Sequence, residues 1–171
     1  MQQGGATVRL TEGEAKDIWE RMLDAQADTI FWGRMLRSRR TIDLWLTIVI
    51  LAFSLGPILS LHFFVQHPYK LQMVLAAIAV LSIIQVVLGL ASAANDMVNV
   101  HVECTTLYTR YDLLWGDLEH LPPDQARAEF RQLKLKAAEI DKLCVKLPTN
   151  KRIYKQCFGE VCKARGLDSP I

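Results

Sequence analysis

The stretch SIIQVVLGLASAANDMVNVHVE, residues 82–103, begins as a membrane-like apolar segment and ends like a helix of a water-soluble protein. Polar or small residues recur through it at alternating intervals of three and four, which is the spacing of one face of an α-helix. These residues are Ser82, Gln85, Gly89, Ser92, Asp96, Asn99 and Glu103. The spacing predicts one continuous helix with a polar line along one side.

Two uncharged segments precede and overlap this stretch. From Leu44 to Val65, 22 residues contain no Asp, Glu, Lys or Arg, and from Leu71 to Leu90 another 20 contain none. A 20-residue helix is about 30 Å long, which matches the hydrocarbon core of a bilayer. We therefore expect two transmembrane helices joined by residues 66–70. The competing interpretation is a pair of buried core helices, although these are usually shorter and amphipathic in a small domain.

The charges that flank these segments predict their orientation. Arg34, Arg37, Arg39 and Arg40 precede the first segment, whereas the connecting loop has only Lys70. The positive-inside rule then places both termini in the cytoplasm. We expect three parts: an amphipathic cytoplasmic helix in residues 1–40, a transmembrane hairpin in residues 41–94, and a cytoplasmic helical domain in residues 95–171.

Helix signals continue through the predicted cytoplasmic parts. Thr11-Glu12-Gly13-Glu14 matches a capping box, which predicts a helix start. Asn150 or Thr149 is the expected cap of a last helix that Gly166 ends. Two seams of mainly apolar residues alternate by four and three, and Pro122-Pro123 separates them. The first seam is Val100, Cys104, Leu107, Tyr111, Leu114, Leu118 and Leu121, and the second is Ala126, Phe130, Leu133, Ala137, Ile140, Cys144 and Leu147.

Such matched seams predict an antiparallel helical hairpin. The sequence as a whole therefore predicts an all-α membrane protein. Its fold would be a two-transmembrane helical hairpin whose second helix extends into a cytoplasmic helical bundle.

Enzyme motifs are missing from the chain. The sequence has no Gly-rich phosphate loop, no His-Glu-x-x-His and no strand for a nucleophile elbow, so we expect no enzyme activity and no cofactor. Cys144, Cys157 and Cys162 suggest a metal site, but their spacing is not that of a zinc knuckle. Buried structural thiols are the favoured interpretation, and no metal is expected.

The most basic part of the chain lies near its C-terminal end. Between Arg127 and Arg165 there are 11 Lys or Arg against 4 acidic residues. The segment KLCVKLPTNKRIYK contains five cations and no acid: Lys142, Lys146, Lys151, Arg152 and Lys155. It spans a predicted helix N-terminus, whose backbone N–H groups and dipole favour a phosphate. The alternatives are a solvated face or a patch that contacts anionic lipid heads.

The polar line of residues 82–103 allows two interpretations. In one, copies of the chain surround a shared axis and the line forms a pore, in which Asp96 and Glu103 make acidic rings that favour cations. In the other, Ser82, Gly89 and Ser92 only let the membrane helices approach closely, and Gln85 bonds across that contact. The pore interpretation requires a homo-oligomer, for which we expect a tetramer.

The order of these features resembles the SLATT domain. An amphipathic N-terminal helix, an Arg cluster, two membrane helices with a short loop, a long helix with YDLLWGDLEHLPP and a terminal LPTNKRIYKQC carry the resemblance, which covers residues 11–165. It implies an oligomeric effector of anti-phage defence in the bacterial inner membrane. The resemblance also implies a partner nucleotidyltransferase that makes the signal. In the family's Hailong type this is a nucleotide oligomer that holds the channel shut.

The function predicted from residues and resemblance together is an ion-conducting membrane pore gated from the cytoplasm by a nucleotide or short oligonucleotide. A different class of function also fits the pattern. In that alternative, the protein is a membrane-anchored scaffold without conductance, and its helical hairpin from Val100 to Leu147 docks a soluble partner.

Overall fold

The structure is a computed structural model that describes residues 10–59, 68–87 and 90–167. Within these ranges all regular elements are helices, which confirms the all-α prediction. They are α1 (Glu12–Leu59), α2 (Pro68–Val87), α3 (Leu90–Gly116), α4 (Pro123–Cys144) and α5 (Lys151–Ala164). The chain divides into two compact units: the first contains the residues up to Gly33 and those from Val98 onward, and the second runs from Arg34 to Met97.

The first unit is a helical bundle whose core is formed by the two predicted seams. Val100, Cys104, Leu107, Tyr111 and Leu114 of α3 are buried. On α4 the buried residues are Ala126, Phe130, Leu133 and Ile140. Burial of each large side chain in such a core contributes about 1.5–3 kcal/mol. The turn around Pro122 joins the helices, so the predicted helical hairpin is confirmed.

The N-terminal part of α1, up to Gly33, belongs to this bundle. Its capping box forms as predicted, because the Thr11 backbone N–H donates to Glu14 Oε2 at 2.8 Å and the Glu14 N–H donates to Thr11 Oγ1 at 3.3 Å. Glu14 also accepts a hydrogen bond from Arg127 Nε on α4 at 2.8 Å. Trp19 packs on Trp115 of α3 with ring centroids 4.9 Å apart. Residues 12–33 and 98–167 therefore share one core.

A glycine permits close approach of α1 and α3 in the bundle. A Cβ built on Gly33 would lie 3.1 Å from Cε1 of His101, which is tighter than nine in ten real Cβ contacts. A larger residue at position 33 would therefore require the His101 ring to shift by a few tenths of an ångström. The absence of a side chain at Gly33 favours this close approach.

The second unit contains the later part of α1, all of α2 and the start of α3. Large apolar side chains are exposed on both α1 and α2: Ile42, Leu44, Trp45, Ile48, Leu51, Phe53, Met73, Leu75, Val80, Ile83 and Ile84. The hydroxyls of Thr41 and Thr47 donate to the backbone carbonyls of Arg37 and Asp43 within the same helix. In the ranges that the structure describes, no helix combines the length and the apolarity needed to cross a membrane.

Candidate ligand-binding cavity

A cavity of about 390 Å³ opens in the first unit. Residues from α1, α3, α4 and the start of α5 line it. Its volume lies at the lower end of the range of about 300–1,000 Å³ that is typical of small-molecule sites. The cavity is therefore suited to one compact ligand.

A half-buried carboxyl, that of Asp28, lines the cavity from α1. Burial, followed by the nearby carboxylates of Asp24 and Asp141, raises the pKa of Asp28 to about 7. Within residues 10–59, 68–87 and 90–167, Asp28 forms neither a hydrogen bond nor an ion pair. A carboxylate that is shielded from solvent without a partner is costly, so a ligand that donates a hydrogen bond to Asp28 would be favoured.

Aromatic rings form the walls beside this carboxyl. Phe31 lies edge-on to Trp32 with centroids 5.0 Å apart and to Tyr154 of α5 with centroids 5.8 Å apart. Burial raises the pKa of the Tyr154 hydroxyl, which therefore remains protonated. These rings give the cavity flat apolar surfaces of the kind on which a planar ligand can stack.

Cations line the cavity from the N-terminal end of α5. Lys151 and Lys155 are exposed members of its lining, as is the capping residue Asn150. The Asn150 side chain accepts hydrogen bonds from the backbone N–H groups of Arg152 and Ile153, at 3.1 and 3.3 Å. Asn150 thus fulfils the predicted cap and occupies two of the backbone N–H groups that the sequence predicts as phosphate donors. The side chains of Lys151 and Lys155 also line the cavity and can pair with an anion.

A shallower groove adjoins the cavity. It has a volume of about 510 Å³ and is lined by Lys151, Arg152, Lys155 and Gln156, so it shares two lysines with the cavity. Of the five predicted ligand-binding cations, Lys151, Arg152 and Lys155 are therefore brought together, whereas Lys142 and Lys146 line neither space.

Sequence reasoning missed the α1 side of the site, namely Asp28, Phe31 and Trp32. A signal was present, because Asp28 lies three residues after Ala25 and three before Phe31, on a helix face that is otherwise mostly apolar. An acidic residue on such a face is a candidate for a functional group.

Two cysteines also line the cavity, Cys104 from α3 and Cys144 from α4. Burial raises the pKa of the Cys104 thiol, and it raises the pKa of Cys144 to about 11. Both are therefore protonated near neutral pH and are poor nucleophiles and poor metal ligands. In the described part of the chain, no group of three metal-ligating side chains comes together.

The predicted pore-lining residues fall in both units. Ser82 is half-buried in α2, and Asp96 and Asn99 are exposed on α3. Glu103 forms an ion pair with Lys136 of α4, with Nζ and Oε2 3.0 Å apart, so its charge is balanced within its own chain. Gln85 and Ser92 belong to helices, but their side chains lie outside the described atoms, and Gly89 lies outside the described residues.

Comparison of the chain with family models, curated proteins and solved structures gives no match. The chemistry of the site must therefore be inferred from its own residues. The cavity combines a half-buried carboxyl, aromatic walls and two lysines. These groups suit a ligand that has a hydrogen-bond donor, a planar ring and an anion.

Proposed function

We propose that this chain forms an oligomeric ion-conducting pore in the bacterial inner membrane and that a nucleotide-type signal gates it from the cytoplasm. Its place in anti-phage defence follows from the resemblance of residues 11–165 to the SLATT domain. The observation that carries the membrane part is the exposed apolar surface of the second unit.

The exposed residues of the second unit support an apolar environment. Val80 is 54% exposed, Leu75 is also 54% exposed and Trp45 is 61% exposed. Contiguous apolar surfaces larger than a few hundred Å² are rare on soluble monomers. The segments from Leu44 to Val65 and from Leu71 to Leu90 also contain no formal charge. Lipid, with or without other copies of the chain, would cover these side chains at low cost.

The cavity of the first unit supports the nucleotide part. Its aromatic walls suit a base, and Lys151 and Lys155 suit a phosphate. The adjoining groove with Arg152 offers a path for a second phosphate. Because α1 contributes residues to both units, it is the element through which we expect ligand binding to affect the pore.

The proposed pore is tested by ion flux from liposomes that contain the purified chain. We expect a cation-selective flux that falls when Gln85 is replaced by Leu, and a cation preference that falls in Asp96→Asn, because a ring of carboxylates attracts cations. Glu129→Gln, which alters an exposed acid on α4, is the matched control and should change neither. If ion flux and cation selectivity were unchanged in Gln85→Leu and Asp96→Asn, the polar line would not be the lining of the pore.

Absence of any flux, together with a monomer or dimer in detergent, would favour the scaffold alternative. Exposed apolar residues on the bundle, such as Leu135 and Val145, would then be its docking surface.

The proposed signal site is tested by nucleotide binding to the same preparation. Lys151→Glu and Lys155→Glu should each weaken binding of adenosine 5′-monophosphate at least about tenfold, because a cation that meets phosphate is replaced by an anion. Lys163→Glu makes the same change on α5 outside the cavity and should leave the affinity within about twofold. Equal effects of all three variants would indicate only general electrostatic attraction.

A further inference from the structure

The cavity is lined by groups of opposite charge from two helices. Asp28 lines it from α1, and Lys151 and Lys155 line it from α5. Burial and the carboxylates of Asp24 and Asp141 account for the raised pKa of Asp28, and no cation lowers it. A ligand that satisfies both kinds of group must carry a hydrogen-bond donor for Asp28 and an anion for the lysines.

The flat surfaces of Phe31, Trp32 and Tyr154 line the same cavity. A nucleotide meets all three requirements when its base carries an amino group, because the amino group is a donor, the base is planar and the phosphate is anionic. Inorganic phosphate alone does not, since it has no planar ring for the aromatic surfaces. The volume of about 390 Å³ suits one nucleotide unit rather than several.

We propose that Asp28 is the base-reading residue of this site and accepts a hydrogen bond from the exocyclic amino group of a single inserted base. Lys151 and Lys155 hold the phosphate of the same nucleotide, and the groove with Arg152 takes the phosphate that follows in a longer ligand. This inference rests on the proposed nucleotide site and adds its specificity: bases without an amino group are rejected.

Rejection follows from the cost of an unmade hydrogen bond. A base without the amino group would cover Asp28 and remove its remaining water without replacing the lost hydrogen bonds. Sites that hydrogen-bond a substrate group discriminate strongly against analogues that lack it. A base edge paired well to a side chain contributes about 1–3 kcal/mol of discrimination, so tenfold is a conservative expectation.

The test compares two nucleotides that differ only in this group, adenosine 5′-monophosphate and purine riboside 5′-monophosphate. Binding to the purified full chain in detergent is measured by equilibrium dialysis at pH 8, where Asp28 is mostly ionised. We expect the adenosine nucleotide to bind at least about tenfold more tightly. A ratio near one in the unaltered protein would overturn the proposal.

Variants separate base reading from a structural role of Asp28. Asp28→Ala removes the acceptor and should bring the ratio to about one, whereas Asp28→Asn keeps an acceptor oxygen and should retain a ratio of at least about threefold. Lys151→Ala should weaken both nucleotides equally and leave the ratio unchanged. A ratio that Asp28→Ala does not alter would overturn the proposal even if binding itself became weaker.

The outcome is independent of the pore. Discrimination between the two nucleotides in a protein that gives no liposome flux would retain Asp28 as the base reader and overturn only the pore. Flux from liposomes in a protein that binds neither nucleotide would overturn the base-reading role and leave the pore standing.

Discussion

The two units of this chain place similar apolar residues in opposite surroundings. In the first unit many apolar residues are buried, and Leu133 and Val161 are each 1% exposed. In the second unit comparable residues such as Leu75, Val80 and Ile83 remain exposed. The first unit thus buries an apolar core within the chain, while the second keeps a series of large apolar side chains exposed. Helix formation alone therefore does not determine whether the apolar residues of a helix are buried.

Truncation of a core leucine provides the strongest test of this difference. Leu133→Ala should destabilise the bundle by about 2–5 kcal/mol, because a fully buried side chain is replaced by a cavity. Unfolding in guanidinium chloride, followed by tryptophan fluorescence in mild detergent, would measure the change, since Trp19, Trp32 and Trp115 all belong to the bundle.

Leu135→Ala provides the matched control two residues away on the same helix. Leu135 is 69% exposed, so its truncation should change the free energy of unfolding by less than about 0.5 kcal/mol. Equal effects of the two substitutions would contradict the burial pattern described for α4.

A lysine substitution on each unit tests whether its exposed apolar surface contacts lipid or water. Val80 is exposed near the middle of α2, so Val80→Lys should disfavour membrane insertion by about 2.5–3.5 kcal/mol. The measurement is the fraction of the chain that stays with membranes after alkaline carbonate extraction, and this fraction should fall.

Val145→Lys makes the same change on the bundle, where Val145 is 83% exposed. In contact with water this lysine should alter neither membrane retention nor the free energy of unfolding. If Val80→Lys also left membrane retention unchanged, α2 would not lie in lipid. The exposed apolar residues of the second unit would then have to contact another protein surface.

Much of the bundle could be predicted because its signals are local. The capping box at Thr11, the turn at Pro122, the cap at Asn150 and the stop at Gly166 each depend on a few neighbouring residues. The two seams followed from the helical period, with Leu118, Leu121, Ala137 and Cys144 less buried than their register suggested. Gly166 has a φ of 73°, the left-handed conformation expected of a residue that ends a helix.

The cavity could be predicted only in part because it is built from distant segments. The cations of α5 form a visible run in the sequence, but Asp28 and Phe31 lie more than 100 residues earlier. No local pattern indicates that α1 packs beside α5. Local sequence pattern also cannot distinguish Lys151 from Lys146. Lys151 lines the cavity and Lys146 does not, because the path of the chain after α4 places only Lys151 there.

Asp28 is a half-buried ionisable group in the first unit, whose fully buried side chains are apolar. The groups around it are Asp24 on α1, Cys104 on α3, Asp141 and Cys144 on α4, and Lys151, Tyr154 and Lys155 on α5. Burial, followed by the charges of Asp24 and Asp141, raises its pKa from 3.8 to about 7. The folded state therefore binds this proton more tightly than the unfolded state.

The stability that this proton provides is complete below about pH 4 and is lost as the pH rises through 7. Asp28→Asn, which is neutral throughout, should match the original protein near pH 4 and exceed its free energy of unfolding by about 1–3 kcal/mol at pH 8. The shift itself corresponds to about 4 kcal/mol, which partial contact with solvent reduces. Denaturant unfolding at both pH values measures this gain, and Glu129→Gln on the exposed face of α4 should show none. If Asp28→Asn raised the free energy of unfolding equally at pH 4 and pH 8, the effect of Asp28 on stability would come from packing rather than from its ionisation.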